Sequence, residues 1–231
     1  MKVCVIADIH GNYDALKECI REAKKQNIKK FLCLGDYVGY YYEPDKCIDL
    51  LIDINAICIR GNHEDILFDI LKNKQKLQYY KSRYGNGIKI ALKKLKRKHL
   101  NFLKKLPKTK KIIINKKKVI LSHGSPWKIN EYIYPNKFYK FKERLNMYKH
   151  DTILVGHTHI QMKKKINSKI ILNPGSVGQP RDGEGLAKWL IIDFSKMKHE
   201  FKKTFFNKKR ITKQVLFYDK NKKNLLKYFQ K

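Results

Sequence analysis

Aspartates and histidines of this chain gather in five short pieces: Asp8-Ile9-His10, Gly35-Asp36, Gly61-Asn62-His63-Glu64, Ser122-His123-Gly124 and Gly156-His157-Thr158-His159. Carboxylate, amide and imidazole are the oxygen and nitrogen donors that hold first-row divalent cations. Five of the eight histidines lie in these pieces. Most pieces follow an apolar run of strand length, and in open α/β sheets ligands gather outside the carboxyl ends of the strands. Singly, each has a plainer reading. A Gly-Asp or Gly-Asn is more often a turn, and an isolated histidine such as His123 is more often a satisfied polar residue. Five such termini in one chain reverse that reading.

The elements that must position these residues follow from periodicity. Residues 2–7, 30–34 and 55–59 read as buried strands, and residues 12–26 and 44–52 as the helices between them. Alternation of this kind predicts a sheet covered by helices, with right-handed crossovers. Residues 63–106 are helical in pattern up to Pro107; further strands are predicted at 112–114, 119–121, 152–155, 161–166, 169–172 and 186–193. The tail alternates like strands at 199–206 and 211–218 and closes on a short basic helix, so 207–231 reads as a basic strand and helix. If extension continues past the first strand, the period of two turns Asp8 and His10 to the same side. The same holds for His157 and His159. Residues 1–231 read as one domain, with the aromatic and lysine-rich stretch 126–150 as a small cap or an insertion.

Composition narrows the class. A chain of 231 residues with 42% apolar and 32% charged content can bury a full core and is not a disordered one. Its 53 basic and 20 acidic residues give a net charge of +33. Such a charge draws polyanions, nucleic acid included. The lysine runs at 108–111, 116–118 and 163–165 accompany no arginine-rich stripe and no nucleic-acid motif. A solvated lysine surface is therefore the plainer reading. Five cysteines without a C-x-x-C pair suit buried small hydrophobes in a reducing compartment. No apolar run approaches the roughly 18 residues of a membrane span. The first run is broken by Asp8 and is no signal peptide, so a cytoplasmic location is expected.

The series D-x-H, G-D, G-N-H-E, H-G and G-H-T-H resembles the calcineurin-like metallophosphoesterase superfamily, above all its small single-domain archaeal and bacterial members. The resemblance runs from Asp8 to about Gly183 and takes in Asn173-Pro174-Gly175-Ser176 and Gly178-Gln179-Pro180-Arg181. It implies a two-sheet αββα sandwich with two divalent metals at one edge. Asp8, His10, Asp36 and His159 resemble the ligands of one metal; Asp36, Asn62, His123 and His157 resemble those of the other, with Asp36 shared. One carboxylate can hold two cations about 3.5–4 Å apart, the spacing suited to in-line displacement at phosphorus. Such a pair would turn a bridging water into hydroxide near neutral pH. His63 resembles the family's catalytic histidine, which binds a phosphate oxygen and protonates the leaving group. Glu64 is expected to hold the neighbouring loop or His63 itself. The implied activity is hydrolysis of phosphodiester or nucleotide-type phosphate bonds. Mn²⁺ is the first candidate metal, with Fe, Zn, Ni or Co as alternatives, because mixed Asp, His and Asn ligands choose weakly among them. Relatives of this kind are often homodimers.

One departure restricts the substrate. The protein phosphatase and dinucleoside-tetraphosphate hydrolase branches carry Asp-Arg-Gly after the Gly-Asp piece, whereas this chain continues Tyr37-Val38-Gly39-Tyr40-Tyr41-Tyr42. Phosphodiesters are therefore expected ahead of phosphoproteins. Arg60 and Arg181 are candidate phosphate contacts, with structural ion pairing as the alternative for each. Tyr37, Tyr40 and Trp127 flank the ligand pieces and could stack on a nucleobase, with core or rim packing as the alternative. His99, His150 and His199 read as surface residues. Two other classes compete. A non-catalytic scaffold, as in retromer-subunit relatives of this family, predicts poor metal occupancy and no turnover. A nucleic-acid-binding protein or nuclease using the lysine surface predicts steeply salt-dependent binding.

Overall fold

The structure is a computed structural model that describes residues 1–229. Its strands form two five-stranded mixed sheets. In the first, the order is β10 (Lys198–Thr204), β9 (Ala187–Asp193), β1 (Lys2–Ile6), β2 (Lys30–Cys33) and β3 (Ile57–Cys58). In the second it is β4 (Thr109–Ile114), β5 (Lys117–Ser122), β6 (Thr152–Leu154), β8 (Lys169–Pro174) and β7 (Gln161–Ile166). β1, β2 and β3 run parallel, as do β5, β6 and β8, while β9, β10, β4 and β7 pair antiparallel.

Period-two alternation explains the layers. Val3 and Val5 of β1 face the second sheet and pack with Leu32, Leu121, Leu154, Leu172 and Leu190. Cys4 and Ile6 face the other way, onto a cluster that includes Leu16, Cys19 and Ile20 of α1 (Tyr13–Lys25) and Ile48 of α2 (Pro44–Asp53). A parallel strand buried on both faces reads as a continuous apolar run. On the outer face of the second sheet, Ile120, Ile153 and Ile171 are covered by Phe138 and by Leu145 of the short helix α7 (Lys142–Asn146). The layers are thus helix, sheet, sheet, helix, as the motifs implied. All five cysteines are free and buried. Among the described residues, no helix is long and apolar enough to cross a membrane.

The helical stretch after β3 divides into α3 (Asn62–Lys72), α4 (Lys76–Tyr84), α5 (Gly87–Lys94) and α6 (Arg97–Lys105). Three expectations fail in the helical and C-terminal parts. His99 is buried: its Nδ1 accepts from Lys96 N at the start of α6 and its Nε2 lies 3.0 Å from Asp49 Oδ1. Residues 211–218, expected as a strand, lie in the helix α8 (Lys209–Tyr218). Ile211, Val215 and Asp219 are buried at a spacing of four while Phe217 stands in solvent, so a helical stripe replaced the alternation. The C-terminal basic helix expected beyond it is a 3₁₀ turn at Lys223–Leu226, and residues 230–231 fall outside the described residues.

The lysine runs have a structural place. Those at 108–111 and 163–165 fall on or beside β4 and β7, the two edge strands of the second sheet. Lysines on an edge strand discourage pairing with another chain.

Candidate metal centre

β1, β2, β3, β5 and β6 end at one edge of the sandwich, and each is followed by one of the five pieces. Convergence does not come from continued extension, as alternation had suggested. Asp8, His10, Asp36, His157 and His159 have φ of 54°, 51°, 57°, 66° and 62°. This left-handed region is sparsely used by residues with side chains, Asn, Asp and His being the least averse. The chain turns sharply at each ligand, and such turns persist only when neighbours enforce them. Here the loops are knitted together. Asp8 N donates to Gly35 O, His10 N to Asp36 O and Gly11 N to Tyr37 O, while Tyr41 N returns to His10 O. Glycine permits the approach: a Cβ on Gly61 would sit 2.1 Å from Asp36 Oδ1, and one on Gly39 would sit 2.6 Å from His63 Nδ1 and 2.8 Å from His10 Nδ1.

All seven expected ligands meet in one cage. His10 Nε2 lies 3.1 Å from His159 Nε2. His123 Nε2 lies 2.9 Å from Asn62 Oδ1, 3.2 Å from His157 Nδ1 and 3.2 Å from Asp36 Oδ2. Asp36 Oδ2 is also 3.7 Å from His10 Nε2 and 4.0 Å from His63 Nε2. Asp8 Oδ1 is 3.5 Å from His159 Nε2. The outer nitrogens settle the tautomers. Nδ1 of His10, His123 and His159 donates to the carbonyls of Val38, Leu34 and Gln179 respectively. In the neutral ring each Nε2 then turns a lone pair inward.

Such a cage fits cations. Two inward lone pairs at 3.1 Å cannot satisfy each other, and Asp36 Oδ2 is buried without a hydrogen-bond partner. Three groups of donors lie close enough to hold an ion: Asp8, His10 and His159; His10, Asp36 and His63; Asp36, His123 and His157.

The electrostatics point the same way. Burial pushes Asp8 up to about 7, with Asp36 adding to the rise and His123 and Arg181 opposing it. Burial works against a charged His123, yet Asp36 and Asp8 push it up to about 10. The two carboxylates thus favour positive charge within the cage. Burial and the charge of His123 push His157 down to about 3.

Glu64 holds the loop, as expected. From the first turn of α3 its buried carboxylate accepts from the backbone N–H groups of Asp36, Tyr37, Val38 and Gly61. Asp36 Oδ1 in turn accepts from His63 N. His63 stands beside the cage, with its ring 4.8 Å from those of His10 and Tyr84 and 5.2 Å from that of Tyr40.

The expected substrate contacts divide. Arg181 stays at the site: its Nη2 donates to Tyr40 Oη and Gln179 Oε1, and its Nε is buried without a partner. Tyr40 packs edge-on against His10 at 4.7 Å. Tyr37 does not face a ligand. It is fully buried and its hydroxyl donates to Ile59 O at 2.6 Å, because its place after Asp36 turns it into the core. Arg60 is likewise structural, pairing with Asp65 and donating to the carbonyls of Leu103 and Lys104 at the end of α6. Trp127 lies under the Arg144 guanidinium at 4.2 Å and packs on the outer-face cluster. The stretch 126–150 is divided in the same way. Ile129, Asn130 and Tyr132 line a cleft beside His157, while Trp127, Ile133, Phe138, Phe141, Leu145 and Tyr148 pack on the outer face of the second sheet.

Sequence reasoning missed Tyr84 and Tyr132. Tyr132 stacks on His157 at 3.9 Å and 27°, and Tyr84 meets His63 edge-on. A signal existed. Tyr79, Tyr80 and Tyr84 crowd a nine-residue helix, more rings than the partial packing of Leu77 and Tyr80 on the core requires.

Known proteins resemble the chain along most of its length. The calcineurin-like phosphoesterase superfamily domain matches residues 1–197. An uncharacterized protein of Methanocaldococcus jannaschii is 35% identical over 93% of this chain and 91% of its own. Among solved structures, a metallophosphoesterase from Sphaerobacter thermophilus superposes with a TM-score of 0.76 at 26% identity, covering 93% of both chains. A hypothetical protein from Pyrococcus horikoshii superposes with a TM-score of 0.84 at 22% identity, covering 99% of this chain and 97% of that one. The motif series, the paired sheets and a domain match reaching into β9 and beyond agree, and the chain belongs to the calcineurin-like phosphoesterase superfamily.

Proposed function

We propose that this protein is a binuclear metal-dependent phosphoesterase that hydrolyses phosphodiester or nucleotide-type phosphate bonds. The observation that carries the reading is the buried Asp36 Oδ2, faced by the ring nitrogens of His10, His63 and His123 at 3.2–4.0 Å. Asp8, His10, Asp36 and His159 would hold one cation, and Asp36, Asn62, His123 and His157 the other. When bound, divalent cations, Mn²⁺ first among them, supply neutralisation of phosphate oxygens and a water of lowered pKa.

The remaining work belongs to side chains. His63 donates a proton to the leaving oxygen. Burial holds its pKa below the ordinary value while Asp36 opposes that shift, and an incoming phosphate anion pushes the same way as Asp36. The unpaired Nε of Arg181 is free to donate to a phosphate oxygen, and Tyr40 fixes the guanidinium through its hydroxyl. The Tyr37-Val38-Gly39 sequence, in place of an arginine after Asp36, favours phosphodiesters over phosphoproteins. A panel of phosphomonoesters, phosphodiesters and nucleotides, assayed on Mn²⁺-loaded and on stripped protein, tests this. Metal-dependent release is expected. A fully loaded protein inert toward the whole panel would overturn the reading.

A further inference from the structure

A cleft of about 480 Å³ opens beside the cage, within the ~300–1,000 Å³ range of small-molecule sites. Asn62 and His157, two of the expected ligands, form part of its lining, so the substituent of a phosphate held at the cage would find room at this opening. The far wall is α4. Tyr80 and Tyr84 present rings within 14° of parallel, and the Arg83 guanidinium lies 5.7 Å from the Tyr84 ring centre. Tyr80 is partly buried against the core, but it and Tyr84 remain partly exposed and line the cleft; flat faces beside a reactive centre suit a flat ligand.

The polar groups of the cleft say more. In a chain of net charge +33, this cavity carries two carboxylates, Asp65 and Asp69. Asp65 pairs with Arg60 and Lys108, and Asp69 with Lys76 and the Tyr80 hydroxyl. A carboxylate has about four acceptor positions, so both keep capacity for donors on a ligand. Offset in charge by these partners, the two carboxylates offer only acceptor positions, which a further phosphate, itself an acceptor, cannot use and a planar, uncharged group bearing N–H and O–H donors can.

We propose that this cleft receives the nucleoside half of a nucleoside phosphodiester, with the base against Tyr80 and Tyr84 and its donors toward Asp65 and Asp69. The inference rests on the phosphoesterase reading and adds the identity of the ester. It is tested on the full-length, Mn²⁺-loaded protein, with methyl p-nitrophenyl phosphate as reporter and adenosine 5′-monophosphate, phenyl phosphate and methyl phosphate as competing inhibitors. The adenosine compound should inhibit at a concentration about tenfold or more below that of methyl phosphate, as base stacking implies, with phenyl phosphate in between. Tyr80→Leu keeps apolar bulk and removes the ring; it should shrink the adenosine advantage to about threefold or less. Tyr79→Ala, at the exposed rim, provides a second variant for the same ratio. Only the ratio of inhibition constants is read, so altered overall turnover does not disguise the answer. Equal inhibition by adenosine and methyl compounds, a phenyl compound as tight as the adenosine one, or an adenosine advantage that survives both variants would each overturn the nucleoside assignment and leave the hydrolase reading intact. A loaded protein that turns over no reporter would remove both.

Discussion

The cage and the neighbouring cleft are built by different means. The cage stands on five loops at strand ends, each clamped by backbone hydrogen bonds and glycine contacts to its neighbours. The cleft is walled by α4, which has no buried residue, and by the irregular stretch around Ile129–Tyr132. Rigid sheet edges can hold groups to within tenths of an ångström, as shared metal coordination demands. Helices and loops of low burial open at lower free energy and can vary in shape. On the proposed function, then, the chemistry rests on the sheets and the choice of substrate on what leans over them.

Substitutions can break that division. The largest effect is expected at Asp36, the one carboxylate both halves of the cage share. Asp36→Ala should lose bound metal and turnover together, measured by metal analysis of the purified protein alongside its activity. Retention of both metals would show that the cage is not organised around Asp36. His63→Ala comes next. It should keep its metals and lose about 10²–10⁴ in kcat, the usual contribution of a positioned proton donor. An unchanged kcat would remove His63 from the reaction.

Glu64→Ala separates scaffold from chemistry. Four buried backbone N–H groups would lose their acceptor, and each buried donor left unpaired costs about 1–3 kcal/mol. A loss of at least ~3 kcal/mol in unfolding free energy is expected, read by denaturant titration, with weakened metal binding because the Asp36 loop is freed. Glu64→Gln should recover part of both. A stability change under ~1 kcal/mol for the alanine variant would mean the loop is held by other contacts.

The same division explains what the sequence disclosed. Ligand types at the ends of apolar runs are chemically specific, and parallel strands bring their carboxyl ends to one edge, so the cage could be read before its geometry was known. The left-handed turns that aim Asp8, His10, Asp36, His157 and His159 carry little local signal, because Asp and His tolerate that region without requiring it. Tyr37 and Tyr84 show the harder case. Both are tyrosines close to ligands, yet Tyr37 is sealed by Ile59 and Phe102 while Tyr84 faces His63. Only the packing of α3 to α6 decides which ring meets solvent. α8 was misread for a related reason: Ile211 and Val215 fit a period of two as well as a spacing of four, and Phe217, whose burial would distinguish them, lies 72% exposed.

Asp219 offers the finest cut between the two regions. It follows α8, beyond the residues that match the family domain, and is buried. Its carboxylate accepts from the backbone N–H and the side-chain amide of Asn86, and from the Tyr42 hydroxyl at 2.8 Å. Gly85, at the end of α4, adopts a positive φ and presses against the same carboxylate. Asp219 therefore ties the end of the α4 wall to the loop that carries Tyr40, without touching a metal ligand. Asp219→Ala should leave metal content intact and cost about 1–3 kcal/mol in stability. Because α4 has no fully buried residue and packs on the core through the partly buried Leu77 and Tyr80, freeing this end should weaken binding of nucleoside-bearing ligands more than that of methyl phosphate. The ratio of the two inhibition constants, compared with the native protein, checks this. If Asp219→Ala strips the metals instead, the C-terminal segment supports the cage as well as the cleft, and the separation of chemistry from selection fails.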